Sequence, residues 1–352
     1  MKKIAVFLSI LLILSATGLG AEAPMELDEF VFSEAAFASC HASTIVALAD
    51  GTLLASWFGG LEEGDNSVEI WFADKKPGAQ WSTPIQLTDF PDAPCWNPVL
   101  FRDGQNRVWL FFKVGPDPMA WVSAYMTSSD GGTTWGEIQY QPAGLLGPIK
   151  NKPITLKSGA ILAGTSVEAG RTRSPRGVQP YWSWTAWVER SVDQGESWIR
   201  NGPIVVPGFN FGVIQPTLWE TDSGEIRMLM RATRQIGHIC ESISKDGGIS
   251  WTNARPISLP NPNSGIDAVK LADGRVALVY NHTEQGRSPI NLALSLDDGQ
   301  SWEAPLIIED GPGEFSYPAV IQSDDGKIHI TYTWKRKRVK HVVIDPQALP
   351  TN

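Results

Sequence analysis

The amino-acid sequence predicts an all-β fold, a six-bladed β-propeller with Asp-box repeats. Three observations predict it. An eight-residue motif recurs four times, a turn followed by an alternating apolar stretch recurs six times, and the composition is rich in tryptophan, glycine and proline. Six units of about four strands each, at a period of 50 to 60 residues, are typical of a propeller of six blades.

The eight-residue motif reads Ser-x-Asp-x-Gly-x-Ser/Thr-Trp, and we call it the Asp box. Its copies span residues 128–135, 191–198, 244–251 and 295–302, and a degraded fifth copy ends at Trp81. An Asp that accepts backbone N–H bonds in a tight turn, above a packed Trp, explains this spacing without chemistry. The turn also supplies too few oxygens for calcium. The boxes are therefore interpreted as structural.

The second marker is a turn glycine between two alternating apolar stretches. Its copies begin at Asp50, Asp103, Ser158, Ser223, Asp273 and Asp325. Asp-Gly or Ser-Gly in this setting is a hairpin signal, so each unit is expected to start with two antiparallel strands. The sixth unit has no box. We expect its outer strand to come from residues near 30–32, which closes the ring.

The composition limits the class of protein. Of 352 residues, 42% are hydrophobic and 19% charged, so the chain can bury a large core. The formal net charge of −9 offers no basic surplus and argues against nucleic acid as a partner. Fifteen Trp, 33 Gly and 25 Pro suit short strands, tight turns and surfaces that stack on sugar rings.

The first residues have the pattern of a targeting segment. Two lysines, an apolar stretch over residues 4–14 and small residues thereafter predict a signal peptide over residues 1–23 and a propeller over residues 24–352. The apolar stretch is short of the roughly 20 residues that a membrane-spanning helix needs. We therefore expect a secreted or periplasmic protein without a stable membrane span, and a monomer.

Three cysteines, Cys40, Cys95 and Cys240, allow at most one disulfide bond. Cys40 and Cys95 stand near the starts of neighbouring inner strands. A bridge between them requires Cα atoms within about 7 Å.

Polar residues stand at or beside the start of the first strand in every unit. Alignment on the turn glycines places there His41, Asn97, Lys152, Gln215, Asp267 and Tyr317. Six hydrogen-bonding side chains around one axis are costly to bury unless they face a solvated pocket. This ring predicts a ligand site in the central channel. For Asn97 or Asp267 alone, simple exposure at the channel mouth is the alternative.

The four boxes, the strand that ends at Arg231, the segment around Arg287 and Tyr317 before the last hairpin resemble bacterial sialidases of the BNR-repeat type. The resemblance covers nearly the whole chain after residue 23. In that family the fold is a six-bladed propeller, three arginines grip the sugar carboxylate, a Tyr with a Glu partner is the nucleophile, and an Asp is the acid/base. The resemblance implies that Arg231 and Arg287 are the second and third arginines and that Tyr317 is the nucleophile.

Two positions depart from this family pattern. His41 stands where the family has its first arginine, and Gln215 stands where the family has the Glu that activates the Tyr. Gln215 cannot accept the phenol proton. The acid/base should follow the first hairpin, where Glu62, Glu63 and Asp65 are all candidates. His41 could assist as a general acid/base or replace the missing arginine when protonated. The alternative is a histidine that only orders the pocket.

These residues predict a secreted, sialidase-like glycoside hydrolase that releases an acidic, carboxylate-bearing sugar from oligosaccharides or polysaccharides, without cofactor or metal. A Tyr nucleophile suits an anionic substrate because a carboxylate nucleophile would repel it. The first alternative is a polysaccharide lyase acting on uronates, in which Arg231 or Arg287 neutralises the substrate carboxylate and His41 with Tyr317 supplies the base.

The second alternative is a propeller that only binds glycans. The polar ring and three tryptophans, Trp182, Trp184 and Trp187, would then form a stacking surface. Two basic segments complete the prediction. Residues 171–176 are expected to form a loop at the rim of the pocket, and residues 334–341 to alternate on the last strand with a solvated face.

Overall fold

The computed structural model describes residues 21–170 and 183–350. Within these residues the strands form six four-stranded sheets, and helix is limited to the 3-10 turn Pro346–Ala348. The predicted all-β, six-bladed propeller is confirmed. Most of the predicted signal peptide, the whole of residues 171–176, and Trp182 lie outside the described residues.

In each of the first three blades, four strands follow one another in sequence and pair with their neighbours. Blade 1 contains β2 (Ser39–Ala47), β3 (Leu53–Gly60), β4 (Glu69–Lys75) and β5 (Ile85–Gln86). Blade 2 contains β6 (Cys95–Arg102), β7 (Val108–Val114), β8 (Val122–Ser128) and β9 (Gln139–Tyr140). Blade 3 contains β10 (Ile154–Thr155), β11 (Ile161–Ala169), β12 (Ser183–Ser191) and β13 (Ile199–Ile204).

The remaining blades repeat this order, except that the last one takes a strand from the N-terminal region. Blade 4 contains β14 (Val213–Glu220), β15 (Ile226–Ala232), β16 (His238–Ser244) and β17 (Arg255–Pro260). Blade 5 contains β18 (Asp267–Lys270), β19 (Val276–Tyr280), β20 (Ile290–Ser295) and β21 (Leu306–Glu309). Blade 6 contains β22 (Phe315–Gln322), β23 (Ile328–Trp334), β24 (Arg338–Ile344) and β1 (Met25–Phe30).

The first hairpin of every blade turns at one left-handed residue. Five of these residues are the glycines Gly51, Gly159, Gly224, Gly274 and Gly326, whose φ values lie between 83° and 92°. In blade 2 the position is taken by Asn106, with φ 61°. Gly and Asn are the residues that adopt this conformation most readily, which is why the turns are visible in the sequence.

The ring closes with an N-terminal strand, as the repeats predict, but this strand is Met25–Phe30 rather than residues 30–32. Strand β1 pairs antiparallel with β24, with Leu27 opposite Val343 and Glu29 opposite His341. Residues just before β1 also pair: the amide of Ala23 donates to the carbonyl of Ile307 at 2.7 Å, and the amide of Ile307 donates to that of Ala21 at 2.8 Å.

The Asp boxes join the third and fourth strands of blades 2 to 5. In all four copies the Ser hydroxyl donates to the Asp carboxylate at 2.7–2.8 Å. The backbone amide of the second box glycine, or of the single one, donates to that hydroxyl at 2.6–2.9 Å. Hydrogen bonds within the box lower the pKa of Asp130, Asp193 and Asp246 to about 2. The carboxylates are occupied by their own turns, as the structural interpretation expects.

Cys40, Cys95 and Cys240 are all buried and all free, so the bridge considered between Cys40 and Cys95 does not form. Burial raises the pKa of Cys40 to about 12, which leaves this thiol protonated and inert. No helix among the described residues is long and apolar enough to span a membrane. Their side chains also include no group of three or more His, Cys, Asp or Glu that could hold a metal ion.

Candidate active site

The first strand of most blades is distorted near its start. In four blades the ladder to the second strand shifts register there. Five residues with left-handed backbone, φ between 41° and 73°, stand nine residues before the hairpin-turn residue of their own blade: Ala42, Asn97, Lys150, Gln215 and Tyr317. Such backbone is uncommon for residues other than glycine and clusters at functional sites. These five positions are structurally equivalent.

The predicted polar ring therefore mixes two levels of the channel. Asn97, Gln215 and Tyr317 are equivalent, whereas Lys152 and Asp267 lie two residues further along their strands. The Lys152 ammonium donates to the Asp267 carboxylate at 2.9 Å, and that carboxylate also accepts from the Thr217 hydroxyl and the Val320 amide, both at 2.9 Å. Lys152 and Asp267 are corrected to scaffold residues that join blades 3, 4, 5 and 6 outside the Tyr317 cavity.

Tyr317 is the centre of the site. Arg231 Nη1 donates to Tyr317 Oη at 2.6 Å, and Gln215 Nε2 donates to the same oxygen at 3.1 Å. Arg231 also donates to Gln215 Oε1 at 3.1 Å and, through Nε, to Asn263 Oδ1 at 2.8 Å. The phenol oxygen thus accepts two N–H hydrogen bonds, one of them from a charged group. Gln215 lies beside Tyr317, where the sequence predicted it.

A cavity of about 160 Å³ lies beside Tyr317, and we call it the Tyr317 cavity. Gln215, Arg231 and Asn97 contribute polar groups to its wall. Its other lining residues include three tryptophans, Trp96, Trp121 and Trp184, and two carboxylates, Glu63 and Glu168. Apolar rings with a few convergent polar groups are the usual composition of a sugar-binding cavity. Trp187 lies elsewhere, with the Arg200 guanidinium 4.1 Å above its ring, so it is not part of this surface.

Two further guanidinium groups approach the same centre. Arg287 Cζ lies 5.5 Å from the ring centroid of Tyr317, and Arg287 Nη1 donates to Glu314 Oε1 at 2.8 Å. Arg336 Nε donates to the same Glu314 oxygen at 2.9 Å, and Arg336 Nη1 donates to Glu63 Oε2 at 2.6 Å. Burial opposes the charge of Arg336, but Glu63 and Glu314 raise its pKa above the ordinary value. We call Arg231, Arg287 and Arg336 the cationic wall of Tyr317; of the three, Arg231 alone lines the Tyr317 cavity.

Arg336 was missed by the sequence prediction, which gave residues 334–341 a solvated face. The predicted alternation is present in β24, where the buried Val339 lies between the half-buried Arg338 and Lys340, but the solvated face does not hold for Arg336. Lys335 and Arg336 both have left-handed backbone, φ 52° and 57°, in the tight turn between β23 and β24, and this turn directs Arg336 towards Glu63. His341 of the same segment is fully buried. The geometry of the turn between β23 and β24 decides which of these basic side chains points towards Tyr317. The order of charges in the sequence does not show it.

His41 is buried against Tyr317, with ring centroids 4.0 Å apart. Its Nδ1 lies 2.9 Å from Thr333 Oγ1, and its Nε2 has no hydrogen-bond partner among the described residues. Burial, together with the charges of Arg336, Arg287 and Arg231, holds the pKa of His41 well below its usual value. His41 is therefore neutral, and the prediction that it replaces an arginine as a cation is wrong.

The three loop acids separate in the structure. Glu63 lines the cavity and pairs with Arg336. Glu62 is exposed and does not line it. Asp65 accepts from the amide and the hydroxyl of Ser67 at 2.9 and 2.5 Å, and these bonds lower its pKa. Asp65 stabilises its own turn, so Glu62 and Asp65 are corrected to residues outside the site.

The BNR repeat-like domain family matches residues 51–330 of this chain, which is most of its length. The chain belongs to the BNR repeat-like family. A sialidase of Micromonospora viridifaciens is 24% identical over 294 residues, covering 78% of this chain and 43% of that protein. A sialidase of Bacteroides fragilis is 23% identical over 300 residues, covering 78% and 49%. The chain thus spans less than half the length of these two relatives.

Solved structures agree on the fold. The NanB sialidase from Streptococcus pneumoniae superposes with a TM-score of 0.72 at 15% identity, covering 93% of this chain and 71% of that one. At that identity the likeness shows the fold alone. The resemblance to bacterial sialidases of the BNR-repeat type is confirmed at the level of the family.

Two ionisable groups near Tyr317, the buried Lys150 and the half-buried Glu168, had no counterpart in the sequence prediction. Lys150 donates to the carbonyl of Ile266 at 2.8 Å and to that of Pro318, which directly follows Tyr317, and burial lowers the pKa of Lys150 to about 7. Glu168, near the end of β11, lines the cavity, and burial raises its pKa to about 7. Neither residue stands in a recognisable motif, so only the structure identifies them.

Proposed function

We propose that this BNR-repeat protein is a glycosidase that releases a carboxylate-bearing sugar from glycans, with Tyr317 as its nucleophile. One observation carries the proposal: the Tyr317 oxygen faces a cavity and accepts hydrogen bonds from Arg231 and Gln215. The relatives named sialidases support sialic acid as the first sugar to test.

The cationic wall supports an acidic substrate. A guanidinium holds a carboxylate through short, charge-assisted hydrogen bonds that are often bidentate. Arg287 and Arg336 currently share Glu314, so an incoming carboxylate would compete for donors that are already aligned. The three tryptophans of the cavity would cover the apolar face of a sugar ring.

The hydrogen bonds around Tyr317 suit attack by a phenolate. Arg231 and Gln215 each donate a hydrogen bond to Tyr317 Oη. The positive charge of Arg231 would stabilise a negative charge on this oxygen. In the first step Tyr317 Oη bonds to the anomeric carbon while the bond from that carbon to the leaving oxygen breaks and this oxygen takes up a proton. In the second step water replaces Tyr317, so the product is a free reducing sugar.

The test is product identification on a panel of acidic glycans. Sialylated oligosaccharides and uronate-containing polysaccharides are incubated with the full chain, and the products are identified by mass. We expect a released acidic monosaccharide carrying one added water. A panel on which no glycan changes mass, with binding retained, would instead support the propeller that only binds.

The polysaccharide lyase stays the second candidate, because Gln215 replaces the carboxylate expected beside Tyr317 and His41 is neutral with a free Nε2. Both features suit abstraction of a proton next to a carboxylate that arginines neutralise. Elimination gives an unsaturated uronate that absorbs in the near ultraviolet and adds no water, so the same panel separates the two reactions.

We further propose that the protein is secreted or periplasmic, as residues 1–23 predict. N-terminal sequencing of the protein recovered from its producing cells tests this. A retained Met1 would contradict it.

A further inference from the structure

Glu168 is an acidic residue of the Tyr317 cavity that no family feature accounts for. It lies near the end of β11, directly opposite Trp184 in the antiparallel pair with β12. Trp184 donates a side-chain hydrogen bond to its carboxylate. Both residues line the cavity that also contains Tyr317 and Arg231.

The surroundings of Glu168 favour a carboxyl group that gains and loses a proton near neutral pH. The charged groups that act on it are Arg231, Asp117 and Glu63, from three different elements. Burial is the largest influence and raises the pKa of Glu168 to about 7, while Arg231 and Trp184 act in the opposite direction. An acid/base works best when its pKa lies near the working pH.

The other candidates in the cavity are less suited to donate a proton. Arg336 Nη1 donates to Glu63 Oε2 at 2.6 Å, so the carboxylate of Glu63 is already engaged as an acceptor. Gln215 has no ionisable group. His41 lies against the Tyr317 ring, and burial together with the positive groups around it holds its pKa well below the usual value, so it lacks the second ring proton that an imidazolium would donate.

We propose that Glu168 is the general acid/base of this site, a role that rests on the proposed glycosidase function. As the phenolate oxygen of Tyr317 bonds to the anomeric carbon, the bond to the leaving oxygen breaks and the protonated Glu168 gives that oxygen its proton. In the second step Glu168 takes a proton from the attacking water, whose oxygen bonds to the anomeric carbon as the bond to Tyr317 breaks. Both groups then return to their starting states.

The test compares two leaving groups in Glu168→Gln. A sialoside or uronoside with an aryl leaving group needs little protonation, whereas an oligosaccharide releases an alcohol that must be protonated. We expect kcat/KM on the oligosaccharide to fall by about 100-fold or more and the aryl substrate to lose far less in its first step. We also expect kcat/KM of the unmodified protein to fall above neutral pH, and this fall to be absent in Glu168→Gln.

Glu62→Gln is the matched control, because Glu62 is an exposed acid outside the cavity and its loss is expected to change neither substrate. If Glu168→Gln does not fold, as judged by its circular dichroism, Glu168→Ala is assayed with azide, an anion that needs no base; faster turnover with a glycosyl azide product is expected. Equal losses on both leaving groups, or absence of azide rescue, would overturn the role of Glu168. Inactivity of the unmodified protein on every glycoside would overturn the proposed function itself and this role with it.

Discussion

The four Asp boxes and the Tyr317 cavity use the same kinds of polar side chain in opposite ways. In a box, the hydrogen bond from Ser to Asp joins residues two positions apart, and four blades repeat the same geometry. In the cavity, Gln215 and Tyr317 are 102 residues apart, and Arg231 and Tyr317 are 86 apart. No two described blades place the same residue at the position equivalent to Tyr317.

The difference teaches where function lies in a repeat protein. A feature that every blade needs is repeated, because each turn must satisfy its own backbone donors. A feature that only the whole ring needs departs from the repeat. A single ligand in the central channel would present a different chemical group to each blade, so each blade needs a different side chain there. Changes in the cavity should therefore alter turnover and leave folding intact, and changes in a box should do the reverse.

Removal of the Tyr317 hydroxyl tests the cavity most directly. Tyr317→Phe is expected to lower kcat by at least about 1,000-fold, because the nucleophilic oxygen is lost while the ring stays packed against His41. Turnover of an acidic glycan and the thermal midpoint are both measured. Tyr125→Phe, which removes a hydroxyl that bonds Gln139 on the outer part of blade 2, is the control and is expected to keep full activity. Full activity in Tyr317→Phe would show that Tyr317 is not the nucleophile.

The free energy of unfolding should depend on pH in two different ranges, one set by the buried His329 and the other by the aspartates of the boxes. Burial lowers the pKa of His329 to about 4, so below about pH 6.5 the unfolded chain binds a proton that the folded chain refuses. The free energy of unfolding should then fall between pH 6.5 and 4, by about 3 kcal/mol from His329 alone. The box aspartates, with pKa lowered to about 2, stabilise the folded chain above pH 3.8. They lose this stabilisation only as the pH falls from 3.8 towards 2.

Urea denaturation of the unmodified chain and of His329→Gln at several pH values measures this difference. The variant is expected to lose the share of the slope between pH 6.5 and 4 that comes from His329, while His41, His282 and His341, whose pKa values are also lowered, still contribute there. The slope below pH 4 is expected to stay. Because Glu168 and the buried lysines are common to both chains, their contributions cancel in the comparison. Identical slopes would show that His329 is not the group responsible.

Truncation of Arg336 tests whether the cationic wall holds the substrate. Arg336→Ala is expected to lower kcat/KM on a carboxylate-bearing glycan by about 30-fold, or about 2 kcal/mol, mainly through KM, because a charge-assisted contact is lost. Arg338→Ala, two residues along, is the control, since Arg338 packs 4.8 Å from the ring of Phe30 in β1. Equal effects of the two variants would remove Arg336 from the site.

A box substitution should give the smallest effect, and on folding alone. Ser295 is fully buried and accepts from the Gly299 amide at 2.6 Å. Ser295→Ala leaves this amide without its partner and is expected to lower the free energy of unfolding by about 1 kcal/mol, with unchanged kcat/KM. Thermal denaturation and the glycan assay check both parts. A loss of turnover at full stability would break the division between boxes and cavity.

How much could be predicted from the sequence follows the same division. The six hairpins are visible because their turns need Gly or Asn at a left-handed position, and the ring closure follows from the missing fourth strand of blade 6. Tyr317, Gln215, Arg231 and Arg287 could be placed by family resemblance, since each keeps its position relative to a hairpin or box. The choice among Glu62, Glu63 and Asp65 could not be made, because it depends on which side chain reaches Arg336 across 273 residues.

The sequence by itself determined the fold of this protein. Each blade is built from turns, boxes and alternating apolar residues, and each of these patterns involves residues that lie close together in the chain. Only the tertiary structure decided the composition of the site. It placed Lys152 and Asp267 in a scaffold ion pair, turned Arg336 inwards, made His41 neutral, and brought Glu168 into the cavity. The physical reason is that charge state and contact in the channel depend on burial and on groups from several blades, which no local pattern encodes.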